Sequence, residues 1–241
     1  MSGKVSIRGF EVDMVGMEEA LESFEKLLEG DSLSVIVTAN CEILNEAGKN
    51  EELAGVIRRA SLVIPDGIGL VYAAKIKRHP LRERVTGIDF SRNALERVAK
   101  SGKKVFFLGA KPGVAEAAAE NLMKEIDGLQ ITGFRDGYFK PEEEAEVVKE
   151  INASAADFLC VALGSPKQEL FMERHRDELC CKVGIGLGGS LDVWSGNTMR
   201  APDFYINHGL EWLYRLKTEP WRFKRIAKIP FFLLKVLFDK N

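Results

Sequence analysis

Apolar residues along this chain fall into two alternating rhythms. Short unbroken runs rich in Val, Ile and Phe alternate with longer stretches whose apolar positions recur every three or four residues. The first rhythm predicts strands at residues 34–38, 62–64, 104–108, 130–134, 157–162 and 181–187. The second predicts helices at 17–28, 42–47, 51–60, 114–126, 141–151 and from 166 to 173. Asn40 stands where an N-cap for the second helix belongs, and Pro65 stops the strand before it. Two short runs around Gly9, residues 5–7 and 10–12, read as a hairpin or paired edge strands. Strands that are apolar throughout and separated by helices imply a doubly wound α/β fold. Its sheet is mostly parallel, with helices on both faces. After Ser195 the strand signals stop and arginine, proline and aromatic residues take over. The expected division is an α/β catalytic domain over 1–195 and a C-terminal helical appendage over 196–241.

Composition narrows the class. With 46% apolar and 29% charged residues in 241, the chain suits one substantial globular core. A formal net charge of −2 excludes a general nucleic-acid binder, which carries a basic excess. The first residues, Met1-Ser2-Gly3-Lys4-Val5, lack the apolar segment of a signal peptide. Nowhere does an uninterrupted apolar run reach the ~18 residues of a membrane span. The four cysteines form no Cys-x-x-Cys pair and read as buried, reduced thiols of a cytosolic protein. His79, His175 and His208 match no zinc spacing, and no metal or other cofactor is expected.

Ligands of open parallel sheets bind beyond the carboxyl ends of the strands, which makes the residues after each strand the ones to inspect. They are Thr38-Ala39-Asn40, Pro65-Asp66-Gly67, Gly109-Ala110-Lys111, Gly164-Ser165-Pro166-Lys167-Gln168-Glu169 and Gly188-Gly189-Ser190. Each mixes small residues with a polar group, as close backbone approach to an anionic ligand requires. Asp66 is a carboxylate at a strand end. Pro-Asp-Gly is equally at home as a plain turn, so general base and turn both stand. Asp89 and Asp192 read as a helix cap and a structural hydrogen-bonding group. Gln168 could meet a sugar hydroxyl, whereas Glu169 also suits the helix dipole.

A loose G-x-G-x-x-G spans 184–189, but it follows the last strand rather than the first, which argues against a nicotinamide cofactor. Without Asp-x-Asp, a diphosphate would rely on cations and backbone amides. Candidates are Arg84, Lys111, Lys167, Arg200, Arg215, Arg222 and Arg225. From residue 219 onward, basic residues interleave with Trp, Phe and Leu, the pattern of a helix lying in a membrane interface; a terminal helix packed on the core or on another subunit is the alternative.

Six ordered segments carry a resemblance across nearly the whole chain. They are Thr38-Ala39-Asn40-Cys41-Glu42, Pro65-Asp66-Gly67-Ile68-Gly69, Arg84-Val85-Thr86-Gly87-Ile88-Asp89, Gly164-Ser165-Pro166-Lys167-Gln168-Glu169, Arg200-Ala201-Pro202 and Gly209-Leu210-Glu211-Trp212. In this order they resemble the bacterial WecG/TagA/CpsF-type glycosyltransferase family. The family has Phe-Asp where this chain has Leu191-Asp192 and alanine in place of Ser195.

The resemblance implies inverting transfer of an N-acetylmannosamine-type sugar from a UDP donor to N-acetylglucosamine on undecaprenyl diphosphate. It implies a base at Asp66 and a sugar-nucleotide pocket that includes Thr38, Asn40 and Gln168. The residues themselves add Gly67, Arg84, Gly109, Glu169 and Gly188 as candidates for that pocket and Arg215, Arg222 and Arg225 for neutralising the diphosphate, and without Asp-x-Asp no metal is expected. A cytoplasmic enzyme peripheral on the inner face of the plasma membrane follows, docked by its tail and able to self-associate through it. Rival readings are transfer of glucose or N-acetylmannosaminuronic acid to a polyprenyl-linked sugar, and a non-catalytic sugar-nucleotide-binding membrane adaptor.

Overall fold

The computed structural model describes residues 3–79, 81, 83–218, 223 and 228–238. Six strands form one parallel sheet: β3 (Ser34–Ala39), β4 (Leu62–Pro65), β5 (Lys104–Gly109), β6 (Gln130–Arg135), β7 (Phe158–Ala162) and β8 (Val183–Gly186). Their spatial order is β4-β3-β8-β7-β5-β6, and every pairing is parallel. The hairpin around Gly9 is present as antiparallel β1 (Lys4–Ile7) and β2 (Phe10–Asp13). Arg8 and Gly9 supply the two consecutive positive φ angles (57° and 79°) of a tight hairpin turn. The hairpin is tied to the edge strand by Asp13, whose Oδ2 accepts from the Val63 N–H at 2.8 Å.

Strand residues alternate between two apolar clusters, one on each face of the sheet. Val35, Val37, Phe106, Leu108, Leu159 and Val161 enter one; Ile36, Val105, Phe107, Phe158 and Cys160 enter the other. The first face is covered by the hairpin, α2 (Cys41–Ala47), α3 (Glu51–Arg59), α4 (Ile68–Ile76), α7 (Glu144–Ala153) and α8 (Lys167–Arg174). The second is covered by α1 (Met17–Leu28), α5 (Gly87–Ser101), α6 (Val114–Glu125) and the short α9 (Ser190–Trp194). Burial on both faces explains why these strands read as continuous apolar runs.

The chain continues through α10 (Asp203–Asn207), α11 (Glu211–Thr218) and α12 (Lys228–Phe238). The last helix packs on α2 and α4, and its Phe232 and Val236 are buried in the first cluster. Its other side leaves Phe231, Leu234, Leu237 and Phe238 exposed. Among the described residues no helix is long and apolar enough to cross a membrane.

The structure departs from the sequence reading in particular places. Helix α4 fills a stretch read only as a strand-end turn, and α5 fills one read only for a helix cap, at Asp89. In α5 the buried Phe90, Ala94, Leu95 and Val98 keep helical spacing behind a first turn of polar and glycine residues. Pro141–Glu143 is a single 3-10 turn, so α7 begins at Glu144. Of the four thiols, Cys160 and Cys181 are buried, Cys41 is half-buried and Cys180 is exposed, the last at odds with the expected burial. No disulfide joins them.

Gly109, expected at the ligand, is spent on the sheet. Its φ is +123°, and a Cβ there would sit 2.4 Å from the carbonyl oxygen of Ala162 on the neighbouring strand. Such a contact cannot be relieved without parting β5 from β7. Gly109→Ala should therefore cost about 3 kcal/mol of unfolding free energy, read from the midpoint of a urea titration.

Candidate active site

Four adjacent strands, β4, β3, β8 and β7, end side by side, and the segments that follow them enclose a cavity of about 630 Å³. That volume lies within the range of small-molecule sites. Of the expected substrate residues, Thr38, Asn40, Gly67, Arg84, Gln168, Glu169 and Gly188 line it, together with Asp66. Gly109, Lys111, Lys167 and Arg200 do not.

Each side chain is held by its local fold. Asp66 follows β4, and its backbone N–H donates to the Ala39 carbonyl at 2.7 Å, which locks the turn to β3. Asn40 is the N-cap of α2, as its position predicts: its Oδ1 accepts from the N–H groups of Glu42 and Ile43 at 2.9 and 3.0 Å. What Asn40 can offer a ligand is therefore its Nδ2 donor. The Thr38 hydroxyl donates to the Gly186 carbonyl at 3.4 Å, linking β3 to β8.

Gln168 and Glu169 occupy the first turn of α8 and are almost fully buried, 4% and 2% exposed. The Gly188 N–H donates to Gln168 Oε1 at 3.2 Å, and Gln168 Nε2 donates to Glu169 Oε1 at 2.8 Å. Gly186 makes room for the pair, since a Cβ there would lie 2.1 Å from Gln168 Nε2. Burial pushes the Glu169 carboxyl above the usual glutamate range. The Gln168 amide, the Glu169 backbone and the Ser165 hydroxyl pull the other way without reversing it. Cys41 also lines the cavity, and burial raises its thiol to about 12, so it is no thiolate nucleophile at neutral pH.

The appendage reaches the same place. Glu211 and Trp212 of α11 and Lys228 and Ile229 of α12 line the cavity. Arg84 lies 3.6 Å from Glu211, with side chains 15% and 13% exposed, so an appendage carboxylate holds a cavity cation. Arg200, a diphosphate candidate from the sequence, instead grips Asp89 at 2.6 Å to each carboxylate oxygen. Thr86, the N-cap of α5, donates to Asp89 Oδ2 at 2.5 Å. Asp89 thus serves α5 and the start of the appendage, in keeping with a structural role. Arg215 lies on α11; Arg222 and Arg225 fall outside the described residues.

The sequence reading missed Lys228 and Trp212. Trp212 stood inside a quoted motif without a role, and nothing adjacent to Lys228 separates it from its basic neighbours. Among the described residues no three His, Cys, Asp or Glu side chains are grouped as metal ligands.

A parallel α/β sheet whose strand ends gather an acid, a buried amide–acid pair and an arginine around one ligand-sized cavity defines a small-molecule enzyme. Comparison with known proteins makes this specific. The model of the glycosyl transferase WecG/TagA/CpsF family matches residues 5–241, and the chain belongs to that family. It is similar to the N-acetylglucosaminyldiphosphoundecaprenol N-acetyl-beta-D-mannosaminyltransferase of Bacillus spizizenii, with 40% identity across 94% of this chain and 89% of the relative. The protein of the same name from Staphylococcus aureus is 34% identical across 100% of this chain and 94% of its own length. That from Bacillus subtilis is 38% identical over 86% and 80%.

The raised Glu169 carboxyl has a consequence for stability. Its folded state holds the proton more tightly than the unfolded chain, so this stabilisation is complete in acid. It is lost as pH rises from the ordinary glutamate value, ~4.3, through the higher folded one. Glu169→Gln, which cannot ionise, should melt a few degrees above wild type at pH 8, with the gap closing by pH 4 in calorimetry.

Proposed function

We propose that the protein transfers N-acetylmannosamine from UDP-N-acetylmannosamine to N-acetylglucosamine carried on undecaprenyl diphosphate, with inversion, in assembly of the teichoic acid linkage unit. The relatives' names support the reaction and the acceptor. The observation that carries the reading is the placement of Asp66 and Arg84 on one cavity wall with the appendage residues Glu211, Trp212 and Lys228.

An acceptor hydroxyl is a poor nucleophile at neutral pH, and Asp66 takes its proton as the new glycosidic bond forms. The bond between the anomeric carbon and the diphosphate oxygen breaks, and UDP departs with the electron pair. Arg84, Lys228 and the appendage arginines Arg215, Arg222 and Arg225 neutralise the leaving diphosphate, with no metal required. Thr38, Asn40 and Gln168 orient the donor.

The acceptor's diphosphate lies at a membrane surface, so the enzyme works at the cytoplasmic face of the plasma membrane. Its docking element is α12, whose exposed Phe231, Leu234, Leu237 and Phe238 enter the interface while Phe232 and Val236 stay in the core.

Three experiments test this. Purified protein should turn over UDP-N-acetylmannosamine with a short-chain lipid acceptor and keep its rate with chelator present. Asp66→Asn should lower kcat by about 10²- to 10⁴-fold while still binding UDP; near-normal turnover would remove the base assignment. The triple change Phe231→Ser, Leu234→Ser, Leu237→Ser should leave the melting temperature near wild type. It should release the protein from vesicles containing anionic phospholipid, seen in a flotation assay.

A further inference from the structure

Glu169 is the most deeply buried carboxyl of the cavity wall, at 2% exposure, and the reaction above gives it no role. Its two oxygens differ. Oε1 accepts from Gln168 Nε2 at 2.8 Å, whereas Oε2 is fully buried and has no hydrogen-bond partner. No ion pair involves Glu169 among the described residues, while the cations that do line the cavity, Arg84 and Lys228, come from other segments.

An ionised carboxylate would carry a charge in this position with no cation to balance it. A neutral carboxyl fits: Oε1 serves as the carbonyl acceptor for Gln168, and Oε2 carries a proton to donate. Gln168 bonds Glu169 Oε1 through its Nε2 and turns its own Oε1 to the Gly188 N–H, so no hydrogen bond joins it to Glu169 Oε2. The Ser165 hydroxyl also acts on this carboxyl but makes no hydrogen bond to Oε2, and the cavity that Glu169 lines is where a partner for Oε2 can be offered.

We propose that Glu169 is a specificity-determining residue that recognises the sugar nucleotide as a neutral acid, its Oε2–H donating to an uncharged oxygen of the ligand, a hydroxyl or a carbonyl. The upward shift of its carboxyl on burial is in keeping with this. The chain Gly188 N–H to Gln168, Gln168 to Glu169, Glu169 to ligand runs in one direction. Each member fixes the next, and the room that Gly186 leaves for the pair permits it. Discrimination follows, because a ligand lacking the oxygen leaves a buried donor unpaired, a far larger penalty than a lost surface contact.

This inference rests on the transferase reading, and the test separates the two. The donor oxygen belongs either to the hexose or to the nucleoside, so calorimetric titrations use UDP and UDP-N-acetylmannosamine in parallel, with Glu169→Gln, Glu169→Met and wild type. Glu169→Gln keeps an acceptor and a donor in place and should bind the sugar nucleotide within about threefold of wild type. Glu169→Met should bind it about 10- to 100-fold more weakly, with KM raised in the same proportion. Loss of UDP affinity in the Met variant assigns the contact to the nucleoside; loss for the sugar nucleotide alone assigns it to the hexose.

A Gln variant that loses as much as the Met variant, or a Met variant that binds like wild type, overturns the proposal. A wild type that binds neither ligand overturns the transferase reading itself. Should Glu169→Met fail to fold, infrared difference spectra decide. Adding UDP-N-acetylmannosamine to wild type should shift a protonated-carboxyl stretch that is absent from Glu169→Gln, and a spectrum without that band sinks the idea.

Discussion

Parallel strands all point one way, so every segment that leaves such a sheet on the same side must start from a single edge. In this protein β4, β3, β8 and β7 are neighbours, and their following segments bring residues from near position 40, 66, 168 and 188 around one cavity. Chain order plays no part in that meeting. The requirement is that backbone pairing holds the strands at about 4.8 Å spacing while both faces are covered by helices. Anything that parts two strands disturbs the row of ends. Gly109 guards such a point, where β5 and β7 approach too closely for any side chain.

That same geometry explains how much of the molecule can be read from its sequence. Strands buried on both faces must be apolar at every position, so their runs stand out. The helix N-cap at Asn40 was legible because its chemistry is local, a side chain answering backbone two and three residues on. Helix α4 was hidden by its own first turn, since Gly67 looks like a ligand loop and is loop and helix start at once, whereas α5 announced itself only by a cap signal at Asp89. Gly109 and Gly188 present the same local signal, a glycine closing a strand. Only the pairing with β7 separates a sheet contact from a cavity wall. Glu169 is a further instance. At the first turn of a helix a glutamate reads as a solvated partner of the dipole, and nothing within a few residues announces that it is buried.

Charge is where fold and appendage become interdependent. Among the described residues the cavity wall carries Glu42, Glu46, Asp66, Glu169 and Glu211 against Arg84 and Lys228, a surplus of acid unsuited to a ligand bearing a diphosphate. One feature of the structure lessens the conflict: the Glu169 carboxyl is pushed toward its neutral form by burial. The Glu211–Arg84 pair does not, since it sets an acid against one of the two cations and adds no positive charge.

The chain's end is basic as a whole although the protein's net charge is −2. Lys228 already reaches the cavity from α12. The covalent order makes this arrangement economical. The segment that carries the apolar residues Phe231, Leu234 and Leu237 begins with the cavity-lining Lys228 and Ile229, only a few residues away. The packing of α12 therefore also sets where Lys228 stands on the cavity wall. Attraction between opposite charges falls off with distance and with exposure to water, so a cation held at the wall by a packed helix acts more strongly on a bound anion than one on a free tail. Core packing of Phe232 and Val236 supplies that hold.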